Sequence, residues 1–331
     1  MIYTFFMDTD YQQYLSSLHS ESATTDLAIS DFVKKTTRES LKSSERIIAG
    51  EVNEVYRIIL ESGRRVILRI AKKDSTEFQI ESYAMNQAKK VGVPVPTVIE
   101  IAELSTADNE LSFCLMDEIK GSPMERGNLR FHQLQQDEQK QLLFRSGQIL
   151  SRIHLVATIG FGPYINPGEA EYLQFDDLLL EYSSKEQLLI FIANEIGFDP
   201  ELIKRALHLI DINKQLLADC KPCLNHGDFG PKHIMVSNST ITGIIDWGLA
   251  RSDSPVTDLA YWSYWFNDYP IKWLLEGYEN KVLFDDSFES KIRLHKIMKG
   301  LVVIEWYHGQ RYKNEVDVAV KKLMDDLKHF K

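Results

Sequence analysis

The chain has 331 residues, 44% apolar, 11% aromatic and 26% charged, which excludes a disordered or fibrous protein and suits two domains or lobes with sizeable cores. A formal net charge of −10 argues against a nucleic-acid partner, which needs a basic face, and is compatible with solubility or with a cationic ligand.

Residues 1–45 read as an N-terminal extension, polar and Ser-rich before residue 25. A short helix follows over 26–38, carrying Leu27, Phe32 and Val33. From residue 46 the β-branched runs RIIAG, EVYRIIL and RRVILRI are separated by Gly50 and by Glu61-Ser-Gly63. They predict an antiparallel meander with a tight turn at Ser62-Gly63. Ile80, Tyr83, Ala84, Ala88 and Val91 are spaced for a helix that Gly92 ends and Pro94 and Pro96 stop. TVIEIAEL and LSFCLMDEI, on either side of the turn-rich Thr106–Asn109, complete a five-stranded sheet with one helix over 46–119. From about residue 120 the texture is helical. Leu142, Leu143, Ile149, Leu150, Ile153 and Val156 share one face, and GFGPYINPGEAEY (160–172) reads as a Gly/Pro loop. Helical patterns recur near 175–195, 200–219, 256–267, 271–280, 287–308 and 314–329. Only HIMVS and TGIIDW look like strands in this part. The predicted class is α+β, with a sheet-rich lobe over 46–119 and a larger, mostly helical lobe over 120–331.

Three cysteines, Cys114, Cys220 and Cys223, are too few for a disulfide framework and fit a reducing compartment. Cys220 and Cys223 have CxxC spacing but lack the second ligand pair of a zinc site. No apolar run approaches the roughly 18 residues of a membrane span. The opening MIYTFFMDTDYQQ has no basic n-region, so the expectation is a cytoplasmic protein without a membrane partner.

The chemistry concentrates in LNHGDFGPKHIMV (224–236) and IIDWG (244–248). Asp228 falls in a turn before a strand, His233 begins that strand and Asp246 closes the next. A short Ser237–Thr242 hairpin brings all three to one edge. A single Asp in a turn is ordinarily a cap, and a single His is ordinarily a packing residue. Together they make a base beside a metal site, which is what phosphoryl transfer requires.

HGDFGPKH followed by IIDW resembles the aminoglycoside phosphotransferase family, small-molecule kinases with a protein-kinase-like fold. The resemblance runs from about 46 to 265. IIAGEVNEVYRI is similar to that family's nucleotide-covering hairpin, VILRI to its third strand, FCLMDEIKG to its hinge and ILSRIHLVATIGFGP to the segment before its substrate insert. It implies ATP or GTP and Mg²⁺ as cofactors. It implies Asp228 as the catalytic base, and His233 and Asp246 as metal ligands. Arg69, paired with Glu81, would meet the α/β-phosphates, with Gly50 and Asn53 over the phosphates. Met116, Asp117, Glu118 and Ile119 would offer backbone hydrogen bonds to the base. Asp258 would hold the catalytic loop. His233 stands where the family has Asn, and imidazole is a less usual Mg²⁺ ligand than a carbonyl oxygen. That departure keeps a non-catalytic, nucleotide-binding alternative open. The HRD motif of protein kinases is absent.

The expected partner is a small-molecule hydroxyl acceptor bound by a monomer or dimer. It is expected to be cationic if the acidic residues of the second lobe line its site. Candidate acceptor residues are Asp176, Asp177, Glu181, Trp265, Asp268 and Glu305, with Glu169 and Glu171 nearby. GFGPYINPGEAEY and the aromatic run DLAYWSYWFNDY resemble hygromycin-B-type phosphotransferases. His233 and GIIDWGLARSDSPVTDLA resemble macrolide phosphotransferases, whose apolar acceptor would suit a lining of Tyr261, Trp262, Trp265, Phe266 and Trp273. A kinase of metabolic sugars or amino alcohols is the further alternative.

Overall fold

A computed structural model describes residues 24–48, 53–72, 75–105, 110–125, 131–218 and 220–330. Gly50, the Thr106–Asn109 turn and most of the 1–45 extension lie outside the described residues. The chain divides into two compact units: Met1–Ser82 with Pro96–Ile119, and Tyr83–Val95 with Lys120–Lys331.

The first unit is a sheet backed by a helix. Helix α1 (Asp26–Thr37) is capped by the Thr25 hydroxyl, which accepts from the Ala28 amide, and it ends at Arg38 in the left-handed region. Its Ile29, Phe32 and Val33 are buried, whereas Leu27 points outward and is 71% exposed. Strands β1 (Leu41–Arg46), β2 (Glu54–Leu60), β3 (Arg65–Ala71), β4 (Val98–Ser105) and β5 (Glu110–Asp117) form an antiparallel sheet in the order β1-β2-β3-β5-β4. Alternate residues of β2 are buried, the period-2 signature of a sheet with one face on a core. Tyr56, Ile58, Leu60, Val66, Leu68, Phe113 and Leu115 meet the helix α1 residues there. Helix α2 (Thr76–Lys90) begins in this unit, with Phe78 in a small cluster with Ala71, Cys114 and Met116. The first strand lies at Leu41–Arg46 rather than at 46–50. Its sequence, LKSSER, is exposed along most of its length, so it carries no alternation by which it could be recognised.

The second unit is helical, with two small sheets. Its helices are α3 (Gln136–Ile153), α4 (Phe175–Ser184), α5 (Glu186–Ile196), α6 (Glu201–Ile212), α7 (Gln215–Ala218), α8 (Val256–Trp265), α9 (Ile271–Gly277), α10 (Phe288–Gly309) and α11 (Lys313–His329). Helix α10 runs through the core, where Leu294, Ile297, Leu301 and Ile304 pack with Ile203 and Ile210 of α6 and Leu323 and Leu327 of α11. The expected Gly/Pro loop at 160–172 is instead a hairpin of β7 (Phe161–Asn166) and β8 (Glu169–Tyr172). It joins β12 (Arg251–Asp253) and β9 (Cys223–Asn225) in a sheet of order β8-β7-β12-β9. The expectation of only two strands here is thus corrected. β9 and β12 have three residues each, too few to show a period. The second sheet holds β10 (Ile234–Ser237), β11 (Thr240–Ile244) and β6 (Ser122–Pro123) in the order β11-β10-β6. Its hairpin turns at Asn238-Ser239, both at positive φ, as a two-residue turn matching strand twist requires. Among the described residues no helix is long and apolar enough to cross a membrane.

Candidate active site

The loop after β9 is fixed from beneath. Asp258, in the first turn of α8, is fully buried. Its carboxylate accepts from the amides of His226 and Gly227, both at 2.8 Å, and lies 3.3 Å from His154 Nε2. A carboxylate only accepts, so His154 carries its proton on Nε2, and Nδ1 accepts from the Tyr278 hydroxyl at 2.8 Å. Burial works against the Asp258 charge, but the hydrogen bond from His154 and that from the His226 amide outweigh it and hold the carboxyl below its usual range. Gly227 has φ of 78°, and a Cβ there would lie 1.9 Å from the Leu249 carbonyl oxygen. Only glycine fits that turn.

Asp228 follows, with its side chain 19% exposed. Lys232 Nζ lies 2.9 Å from Asp228 Oδ2. His233 Nδ1 donates to the Asp228 carbonyl at 2.9 Å and lies 3.6 Å from Oδ2. The other imidazole nitrogen, Nε2, is 3.1 Å from Asp246 Oδ2. Asp246 sits two residues beyond β11 at φ of 64°, a left-handed conformation that a non-glycine residue adopts at some cost and that clusters at functional sites. Burial raises the Asp228 carboxyl, but the Lys232 and His233 charges outweigh it and leave it below the usual range. Burial also opposes the His233 charge, yet Asp228 and Asp246 raise its pKa above the ordinary value.

These groups suit a hard cation in part. Two ligands at right angles about a Mg²⁺ with bonds of about 2.0–2.1 Å are about 3 Å apart, close to the 3.1 Å between His233 Nε2 and Asp246 Oδ2. With Nδ1–H committed to a carbonyl, a neutral His233 presents the Nε2 lone pair to that position. Among the described residues no group of three or more His, Cys, Asp or Glu side chains is disposed to hold a metal. Phosphate and water oxygens would have to complete the shell, as is usual for Mg²⁺.

In the first unit, Arg69 on β3 places Nη1 2.5 Å from both Glu81 oxygens. Glu81 is 2% exposed, and the guanidinium also lies over the Phe78 ring. Asn53, just before β2, has a buried Oδ1 with no hydrogen-bond partner among the described residues. Met116 is buried in β5. Asp117 pairs with Arg64 at 2.8 Å, and Glu118 is held by Arg57 at 2.6 Å and Arg65 at 2.7 Å. The Asp117 and Glu118 amides already donate to Thr97 and Arg65 carbonyls. Contacts from this stretch to a ligand therefore fall to its carbonyls or to the Ile119 amide.

The acceptor candidates separate. Glu181 and Glu305 meet at Lys185, 3.3 and 3.0 Å from Nζ, and with Glu171 they line one cavity. Asp176 and Asp177 stand exposed in the first turn of α4, and Asp268 is exposed. Glu169 is occupied at the tip of the β7–β8 hairpin by Asn166. Trp265 packs beside Tyr264, under Lys322. Tyr261, Trp262, Phe266 and Trp273 are each at most 9% exposed. They are core, and the expected apolar acceptor lining is corrected accordingly.

Two residues whose charges act on Asp228 escaped the sequence reading: Lys232 and Lys299. Lys232 has a local signal, since it follows Asp228 by four residues. Lys299 has one too, a cation between the buried Met298 and Leu301. Its ammonium lies 4.4 Å from the Tyr261 ring centroid.

The family model for the phosphotransferase enzyme family matches residues 44–281. A search of curated protein sequences finds no match. Among solved structures, aminoglycoside phosphotransferase APH(4)-Ia is 18% identical, with 92% of this chain and 99% of that one covered at a TM-score of 0.71. A thermostable mutant of that protein, in ternary complex with ADP and hygromycin B, is 19% identical over 91% of this chain and 98% of that one, at a TM-score of 0.70. The gentamicin–APH(2")-IIa complex is 18% identical over 92% and 97%, at 0.63. These likenesses show the shared two-lobe, protein-kinase-like fold. With a family match spanning most of its length, the chain belongs to the phosphotransferase enzyme family.

Proposed function

We propose that this phosphotransferase moves the γ-phosphoryl group of ATP or GTP to a hydroxyl of a small molecule. The observation that carries the reading is the convergence of Asp228, His233 and Asp246 on a loop pinned by Asp258. Asp228 orients the acceptor hydroxyl and receives its proton late, because a carboxylate held below its usual range is a weak base. Lys232 occupies Oδ2, so Oδ1 is the oxygen that meets the hydroxyl. Asp246 and His233 would hold Mg²⁺, which neutralises phosphate charge when bound. Arg69, kept in place by Glu81, would contact the α/β-phosphates. Asn53 and Gly50 would lie over them, and Met116–Ile119 would border the base. Relatives of the same fold crystallised with ADP or AMP-PNP and hygromycin B support both a nucleotide donor and a compact hydroxylated acceptor. Glu181 and Glu305 are the acceptor-side residues this reading retains.

The test is Asp228→Asn. Turnover should fall by about 10²–10⁴-fold while Mg²⁺–nucleotide binding persists by thermal shift. Turnover at the wild-type rate would remove Asp228 from the mechanism.

A further inference from the structure

The division of the chain into two units falls inside helix α2 (Thr76–Lys90), between Ser82 and Tyr83. The two parts of the helix are held differently. Before the division, Phe78 packs in the small cluster of the first unit, and the buried Glu81 grips Arg69. After it, the Tyr83 ring stands edge-on to Tyr164 of β7, with centroids 5.9 Å apart and planes at 82°. The same ring covers the tip of the β7–β8 hairpin. Gly168 at that tip has φ of 81°, and a Cβ there would lie 2.7 Å from Tyr83 Cζ and Oη. A bare glycine is what lets the ring rest on the hairpin backbone. Residues two apart in a helix point about 200° apart, so Glu81 and Tyr83 hold α2 from nearly opposite sides.

The hairpin is part of a larger support. In the sheet order β8-β7-β12-β9 it is joined to β9, and β9 runs directly into His226, Gly227 and Asp228. A packed ring, a strand ladder and one continuous helix therefore connect the Asp228 loop with the Arg69–Glu81 pair. Contiguous packing of this kind is what carries energetic coupling between sites. The ring is not the sole anchor of the helix: just past its end, the Pro94 carbonyl accepts from the Ile244 amide at 2.8 Å. Loss of the ring thus leaves α2 attached.

We infer that Tyr83 is a positioning residue for phosphoryl transfer: resting on the β7–β8 hairpin, it fixes α2 and with it the orientation in which Glu81 presents Arg69 to the nucleotide phosphates. This deepens the kinase reading above and rests on it for the phosphate role of Arg69. Tyr83 itself touches no reacting group. It acts through the helix, and the hairpin acts through Tyr83.

The experiment is calorimetric titration of the full chain with the tighter-binding of Mg²⁺–ATP and Mg²⁺–GTP, beside hydrogen exchange over residues 76–90. The variants are Tyr83→Phe, Tyr83→Ala, Gly168→Ala and the last two combined. Tyr83→Ala should weaken the nucleotide roughly tenfold, an ordinary scale for coupling between sites, and speed exchange in 76–90. Tyr83→Phe keeps the ring and should match the parent in both. A side chain that served stability alone would lower the unfolding midpoint and leave the nucleotide affinity of the folded protein where it was. Gly168→Ala pushes on the ring from the hairpin side, so it should weaken binding in the parent and add nothing in the Tyr83→Ala background. Affinity within about twofold of the parent in Tyr83→Ala overturns the inference. So does a Gly168→Ala effect of equal size in both backgrounds, and so does unchanged exchange in 76–90. If Tyr83→Ala does not fold, Gly168→Ala decides alone, and parental affinity in it overturns the inference. Exchange that responds to the ring in a parent that binds neither nucleotide would leave the hairpin–helix link standing and sink the kinase reading instead.

Discussion

The smallest feature that bears on the proposed reaction is the ion pair of Lys232 with Asp228. Four residues apart, the two side chains make an ion pair at 2.9 Å that, in the proposed reaction, leaves Oδ1 to face the acceptor. Lys232→Met should lower kcat by roughly ten- to a hundredfold, the scale on which orientation at a reacting centre operates, and leave the nucleotide KM nearly unchanged. Lys232→Arg should recover part of the loss. Steady-state kinetics of the three proteins decide it, and an unchanged kcat in the methionine variant would show the pair to be incidental. At this scale the sequence was legible where the residues are neighbours. Asp228, His233 and Asp246 fall within 19 residues and two strand signals. Lys299, whose charge also acts on Asp228, comes from α10, outside that stretch. Asn225 illustrates the same limit. It looks like part of the HGD motif, yet its side chain ties β9 to β12 through the Asp253 carbonyl at 3.0 Å.

Among the elements, the crossing of α3 and α9 shows how tightly the second unit is built. A Cβ on Gly147 would lie 1.9 Å from the Leu274 carbonyl oxygen, and one on Gly277 would lie 1.8 Å from that of Phe144. Each helix contributes a glycine against the other's backbone. Alanine is favoured over glycine in a helix interior by about 1 kcal/mol. Here the obstacle is a backbone carbonyl, which cannot swing aside. Gly147→Ala should therefore destabilise by about 1–3 kcal/mol, read as a lower denaturation midpoint; a raised midpoint would mean the helices can separate without cost. The long helices were readable because their buried faces repeat at the helical period, as with Leu142, Leu143, Ile149, Leu150 and Ile153 of α3. The hairpin at 161–172 was not, because Gly162, Pro163 and Gly168 carry loop chemistry while the pairing comes from β12. The exposed edge strand β1 failed for the opposite reason: it has no apolar face to betray it.

For the molecule as a whole, the buried charge network sets a pH limit. His295 on α10 is 3% exposed, its Nδ1 is 3.4 Å from the Thr257 hydroxyl, and its Nε2 is buried without a hydrogen-bond partner among the described residues. Burial pushes the imidazole down to about 4 from 6.5, against the Asp253 carboxylate and with the Arg251 guanidinium. Above 6.5 the ring is neutral in folded and unfolded chains alike and stability is unaffected. As pH falls from 6.5 towards 4 only the unfolded chain gains the proton, so stability drops, by on the order of 3 kcal/mol across the window. His295→Gln should flatten that part of the curve of unfolding midpoint against pH. An unchanged slope would place the sensitivity elsewhere.

In the proposed reaction this chain transfers a nucleotide's γ-phosphate to a small hydroxyl compound through Asp228. Its most direct test is Mg²⁺-dependent nucleotide consumption over a panel of aminoglycosides, macrolides, sugars, amino alcohols and hydroxy acids, with Asp228→Asn alongside. Consumption is expected with at least one class, and its loss is expected in the variant. Consumption that persists in Asp228→Asn, or a wild-type protein that neither consumes nor binds Mg²⁺–nucleotide, would contradict it.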